Sequence, residues 1–319
     1  MIRRAFLLAA SLLCSTAFAQ GSWPDKPIRL IVPFPAGDGL DIQARTIGQR
    51  LAERLGQQVI VDNRPGAGTL IGLEAALKAP ADGHTMVLVT TTYVINPSLR
   101  EKVPYDPVKD FTPVIQSTAI PLIVVGSPKF APNDFREVLS LAKDKPGQLT
   151  MGNSGIGTSA HVGMAMLDSM AGIRFNHVAY KGIPQAFTDL VSGDLNMLVT
   201  SPAQVMGPIR EGKIKPLVVT GAQRMSHLPQ VGTVAEAGVP GYEVTAWVGY
   251  MVPSTTPAPV VQRLNREMAA ILNLPEVKER LTNDGSVVVA STPEQFAAHV
   301  RTELDKWSRT IRAAGIKAQ

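Results

Sequence analysis

What most constrains the fold is a rhythm between Ile28 and Thr92, where short apolar runs alternate with stretches of helical periodicity. "IRLIVPF", "QVIVDN" and "TMVLVT" read as strands, and Asp41 to Leu55 and Gly68 to Lys78 read as helices. Strands joined through helices run parallel, and the helices then cover the sheet on both faces. The rhythm returns in "IPLIVVGS", the helix "NDFREVLSLAK", "LTMGNS", the helix from Thr158 to Met170, "NHVAY", the helix from Pro184 to Ser192, "LNMLVT" and "PLVVTG". These make a second α/β unit. From Pro257 the chain reads as helix after helix, with only "SVVVAS" in between. Such a tail cannot bury its own apolar faces and is expected to pack back on the first unit. The chain then crosses between units twice, near Pro113 to Val125 and near Glu243 to Pro253, which makes a hinge over a cleft. The expected division is a first lobe of residues 20–123 plus 245–319 and a second lobe of residues 124–244.

The opening "MIRRAFLLAASLLCSTAFAQ" has two arginines, an apolar run too short to span a bilayer, and the small-x-small site Ala17-Phe18-Ala19. Residues 1–19 are therefore expected to be a cleaved signal peptide, sending the protein to the periplasm. "RRAFL" also resembles a twin-arginine signal, with Ile2 where Ser or Thr is usual, so either export route fits. Cys14 is the single cysteine of the chain, and Leu13 before it is too large for a lipobox. Cleavage then leaves no cysteine, which excludes disulfides, thiolate metal sites and cysteine nucleophiles together. Loss of Arg3 and Arg4 lowers the formal charge from +5 to +3, too mild a balance to point to nucleic acid. Beyond the leader no apolar stretch reaches transmembrane length.

Two glycine-rich turns sit where strands give way to helices: "PFPAGDGLD" (Pro33 to Asp41) and "GNSGIGTSAH" (Gly152 to His161). In parallel α/β sheets ligands bind beyond the carboxyl ends of the strands, where glycines expose amide N–H groups and helix dipoles add positive potential. Facing each other across a cleft, the two turns form an anion clamp built largely from backbone, with the hydroxyls of Ser154, Thr158 and Ser159 in the second. The competing reading is a pair of ordinary tight turns, with Asp41 and Ser154 or Thr158 as helix caps.

Enzymatic readings are weaker. "GIGTSA" matches a dinucleotide turn, but "MAGIRFNHVAYKG" supplies no acid to hold a ribose. "GNSGIG" misses the nucleophile elbow because Ile156 replaces its second glycine, so an exported serine hydrolase using Ser154 would need His161 as its base. No histidine pair has metal-ligand spacing, and no H-E-x-x-H or carboxylate cluster occurs, so neither a metal nor a cofactor is expected. His161 reads as a structural or cleft-lining histidine, and Arg45, Arg50 and Arg54 as a solvated helix face.

Motifs in order along nearly the whole mature chain resemble one family. They run from "WPDKPIRLIVPFPAGDGLDIQAR" through "VDNRPGAGTLIG", "ADGHTMVLV", "MGNSGIGTSAHV", "AYKGIPQAFTDLVSGDLN" and "PLVVTGAQRMSHLPQVGTVAEAGVPGYEV" to "TPAPVVQRLN", "LPEVKERL" and "KWSRTIRAAGIK". The chain resembles the Bug family of extracytoplasmic solute receptors, the binding components of tripartite tricarboxylate transporters. The resemblance implies a two-lobed α/β, type II periplasmic-binding-protein fold, without catalytic activity. It implies closure on one small organic acid, amino acid or heterocyclic carboxylate or amide, and presentation of that solute by a monomer to membrane subunits. By position it implicates Phe34, Ala36, Gly37, Gly39 and Asp41 in the first loop, and Asn153, Ser154, Gly157, Thr158 and Ser159 in the second, with His161 behind. Further neighbours are Thr90 and Thr91, Tyr180, Lys181 and Gly182, and Thr200 and Ser201. Asp38 departs from the family, which usually has glycine there. An added carboxylate repels an anion unless it faces solvent or meets an amine, amide or hydroxyl of the ligand.

Overall fold

The computed structural model describes residues 23–316. The expected signal peptide, Cys14 included, lies outside the described residues. Strands β1 (Ile28–Val32), β2 (Val59–Asn63) and β3 (Thr85–Thr90) run parallel with β1 in the middle, connected by helices α1 (Gly39–Leu55) and α2 (Leu70–Leu77). Burial of Ile28, Leu30, Ile31 and Val32 on both faces of β1 explains its near-continuous apolar run.

The sheet is not parallel throughout, as the strand–helix rhythm alone suggested. Two long strands, β4 (Phe111–Pro121) and β10 (Thr245–Pro253), pair with each other and β10 pairs with β3, all antiparallel. They carry the chain out of the first sheet and back into it, so they run in opposite directions. With β11 (Val287–Val288) the order is β11-β4-β10-β3-β1-β2.

The second sheet has the order β7-β6-β8-β5-β9, from β5 (Ile123–Gly126), β6 (Thr150–Asn153), β7 (Asn176–Ala179), β8 (Met197–Thr200) and β9 (Lys215–Val219). Helices α4 (Phe135–Asp144), α5 (Ser159–Ala171), α6 (Ile183–Ser192) and α7 (Met206–Arg210) accompany it. A helix absent from the sequence reading, α3 (Thr92–Leu99), follows β3. Pro97 and its β-branched residues hide it, and it is stabilised by burial of Tyr93, Val94, Ile95, Asn96 and Leu99.

Only Leu122 separates β4 from β5 at the first crossing. Thr220, just past β9, ties both crossings together: its hydroxyl accepts from Leu122 N at 2.9 Å and donates to Val244 O at 2.5 Å. The C-terminal helices α8 (Ala258–Leu272), α9 (Pro275–Asn283) and α10 (Pro293–Ala314) follow β10. Helix α8 packs on α1 and β4, and α10 on β4 and α3. Helix α10 also packs on α5 of the second sheet, so the tail bridges both units rather than serving the first alone. Gly249 in β10 makes room for that tail, because a Cβ there would lie 2.2 Å from Phe296 Cζ. Among the described residues no helix is long and apolar enough to cross a membrane.

Candidate functional site

The first glycine turn is held by two acids with different tasks. Asp38 is extended (φ −65°, ψ 156°), caps α1, and accepts from Leu40 N at 2.9 Å. Asp41, expected as the cap, already sits in the first helical turn and is buried. Its carboxylate accepts from Gly37 N at 2.8 Å, Arg45 Nε at 2.9 Å and Asn63 Nδ2 at 2.9 Å, fastening the turn to the end of β2. Burial raises its pKa, but the hydrogen bonds from Arg45, Gly37 and Asn63 and the Arg45 charge outweigh burial and hold it at about 2.

The second turn is fastened similarly. Asn153, buried at the end of β6, accepts from Gly155 N at 2.9 Å. Thr158 caps α5, accepting from His161 N at 3.2 Å while donating to Gly155 O at 2.8 Å. His161 Nδ1 accepts from Gly157 N at 3.3 Å, and burial together with the nearby His177 lowers its pKa, both favouring the neutral ring. Thr91, at the N-terminus of α3, spends its hydroxyl on Trp247 N at 3.0 Å.

A cavity of about 440 Å³ is lined from both sheets. Three helix N-termini reach it: Gly39 and Leu40 of α1, Thr91 and Thr92 of α3, and Thr158, Ser159 and Ala160 of α5. First-turn N–H groups have no acceptor within their own helix. The Thr158 cap takes only the His161 N–H, which leaves those of Ser159 and Ala160 free to donate. Convergent N–H groups and dipoles make this an anion-binding end.

Of the residues implicated by sequence, Phe34, Gly39, Thr90, Thr91, Ser154, Thr158, Ser159, Thr200 and Ser201 line this cavity. Ala36 and Gly37 are exposed on the first turn, outside the lining, and Asp41 and Asn153 work behind the turns. Gly157 packs on Leu99 of α3. His161 faces a separate surface pocket with His177 and Asp168. Tyr180 donates to Asp189 Oδ2 at 2.8 Å, and burial, then that bond, pushes its pKa up to about 12. Lys181 and Gly182 lie off the cavity.

Sequence reasoning missed two lining faces: Ile42, Gln43, Thr46 and Ile47 of α1, and Val277, Arg280 and Leu281 of α9 with its cap Asp284. Helical spacing was visible in both, but nothing local says that the C-terminal tail meets the cleft. The charged lining groups are Asp38, Arg280 and Asp284, all exposed. Among the described residues no base is hydrogen-bonded to Ser154, and His161 is turned to Gly157 and His177. Among the described residues no group of three His, Cys, Asp or Glu is placed to hold a metal.

Comparison with known proteins follows this geometry. Residues 43–316 match the family described as tripartite tricarboxylate transporter family receptor. The chain is 31% identical to protein BugT of Bordetella pertussis over 93% of its own length and 91% of that protein. It is similar to an R. palustris protein solved with adipate, at 32% identity and TM-score 0.83, covering 92% of this chain and 99% of that one. MatC from Rhodopseudomonas palustris, solved with bound malate, gives 30% identity and TM-score 0.78, covering 91% of this chain and 100% of that one.

Proposed function

The chain belongs to the tripartite tricarboxylate transporter receptor family, as an extracytoplasmic solute receptor of the Bug type rather than an enzyme, and from that premise we propose that its solute is a small carboxylate gripped at the three helix N-termini. The observation that carries this is the convergence of α1, α3 and α5 on one cavity between the sheets. The solute carboxylate accepts from the first-turn N–H groups of α5 at Ser159 and Ala160, aided by the hydroxyl of Ser154, while the Thr158 hydroxyl, spent on Gly155 O, keeps the turn in shape. Ala36, Gly37, Asp41, Asn153, Gly157 and His161 act indirectly, by keeping the turns in shape.

The two lobes, residues 20–123 plus 245–319 and residues 124–244, close over the solute about Leu122 and Thr220. Only groups from both lobes complete the cradle, so solute binds the closed form better and shifts the population toward it. The receptor is exported behind a cleaved signal peptide, works in the periplasm as a monomer, and hands its solute to membrane subunits.

Titration calorimetry with a series of carboxylates and their amides tests the reading. Thr158→Ala, which removes the α5 cap and one lining hydroxyl, is expected to weaken carboxylate binding about tenfold. Equal binding of acid and amide, or an unaffected Thr158→Ala variant, would overturn it.

A further inference from the structure

The cavity does not end at the anion cradle. Ile42, Thr46 and Ile47 on one face of α1 stand opposite Val277 and Leu281 on one face of α9, and both faces line it. The two helices are tied together further along by Arg50 Nη2 and Glu276 Oε1 at 3.5 Å. This part of the lining is mainly apolar, with the Thr46 hydroxyl among its aliphatic groups. Arg280 is the one cation in the lining. Arg50 and Arg54 of α1 and Arg266 of α8 each pair with a glutamate. Among the described residues Arg280 has no carboxylate within the 4.0 Å of an ion pair, Asp284 included.

Resting on the carboxylate reading above, we infer that the groove between α1 and α9 is a second subsite, and that the solute is an elongated dicarboxylate with an apolar middle. One carboxylate lies in the N–H cradle, the middle lies against Ile42, Ile47 and Leu281, and the distal carboxylate pairs with Arg280. Ile42, Ile47, Val277 and Leu281 offer a hydroxylated middle no hydrogen bonds and Thr46 is the single hydroxyl on these two faces, so compact hydroxy-acids leave most of their polar groups unpaired there. A guanidinium at the far end matches a carboxylate with two parallel hydrogen bonds. Asp38 does not oppose this arrangement strongly, because its carboxylate already serves the α1 N-terminus. Asp284, four residues from Arg280, works against the distal carboxylate and limits affinity.

Calorimetry with pimelate, heptanoate and malate tests the inference on wild type, Arg280→Met and Asp284→Asn. Both variant sites are exposed, so folding is preserved, and circular dichroism checks that. Wild type should bind pimelate about tenfold tighter than heptanoate, and malate more weakly than pimelate. Arg280→Met should abolish the pimelate advantage and leave heptanoate unchanged, while Asp284→Asn should tighten pimelate a few-fold. Equal binding of pimelate and heptanoate by wild type, or equal losses for both in Arg280→Met, would sink the subsite while leaving the cradle intact. Failure of every carboxylate to bind wild type would instead sink the carboxylate reading and the subsite with it.

Discussion

The role assigned to Asp41 can be tested through its charge. Its three partners, Gly37 N, Arg45 Nε and Asn63 Nδ2, are all donors. Asp41→Asn keeps the shape but turns an NH2 group toward one of them, so at least one hydrogen bond is lost, at about 1 kcal/mol independent of pH. The charge adds a part that titrates. With a folded pKa of about 2 against an ordinary 3.8, the carboxylate contributes about 2 kcal/mol at neutral pH. This is an upper figure, since Arg45 is half exposed and screened by solvent. The folded pKa lies below the unfolded one, so the contribution is complete above the unfolded value and is lost as pH falls through the folded value. Urea unfolding followed by circular dichroism should show a wild-type advantage of about 3 kcal/mol at about pH 6, shrinking to about 2 at pH 3 and about 1 near pH 2. A gap that stays constant over this range, or widens toward acid, would refute the argument that the Asp41 charge holds the turn.

Two further substitutions probe the junctions. Gly157 has φ +80°, and a Cβ there would meet Leu99 Cδ2 at 2.4 Å, so Gly157→Ala should cost about 1–2 kcal/mol in urea and weaken solute binding by moving the second turn off α3. Thr220→Val keeps the volume but leaves the Leu122 N–H without its acceptor, costing about 1–3 kcal/mol. In native-state hydrogen exchange the Leu122 amide should then lose protection, while the Val244 amide, bonded to the Thr220 carbonyl at 2.8 Å, keeps it. Parallel loss at both would mean general loosening rather than a hydroxyl-specific tie.

Strands β1 to β3 and the positions of both glycine turns were legible in the sequence because apolar periodicity and glycine placement are local signals. Of the two acids of the first turn, Asp41 read as the cap and Asp38 as facing solvent or solute, whereas Asp38 is the cap and Asp41 fastens the turn from behind. Aspartate can cap a helix from either position, and the choice depends on where the backbone becomes helical, which happens after Asp38. Helix α3 was illegible because it is short, contains Pro97, and buries four consecutive residues, Tyr93 to Asn96, instead of showing an amphipathic stripe. The antiparallel pairing of β4 with β10 joins segments more than a hundred residues apart, and no local pattern specifies such a partner. The same distance hid α9: its apolar spacing was plain, but only the tertiary fold brings Val277, Arg280 and Leu281 to the cleft opposite α1.

The turns place their polar side chains, Asp41, Asn153 and His161, behind the backbone they shape, and present N–H groups to the cavity. Backbone donors distinguish an anion from a neutral group but read nothing of the rest of the molecule. Discrimination among carboxylates must therefore come from the lining side chains, Asp38, Ser154 and Ser159 of the turns among them, and the α1 and α9 faces supply the apolar wall and, among the described residues, the one cation. Ile47, Val277 and Leu281 of that lining are also core residues, whereas Ile42 and Arg280 are exposed and Thr46 half-buried, and α1 is held in addition by Leu51, Leu55 and the packing of α8. Exchanging Ile42, Thr46 or Arg280 should retune solute choice at little cost to folding, whereas exchanging Asp41 or Asn153 should damage every solute's binding alike.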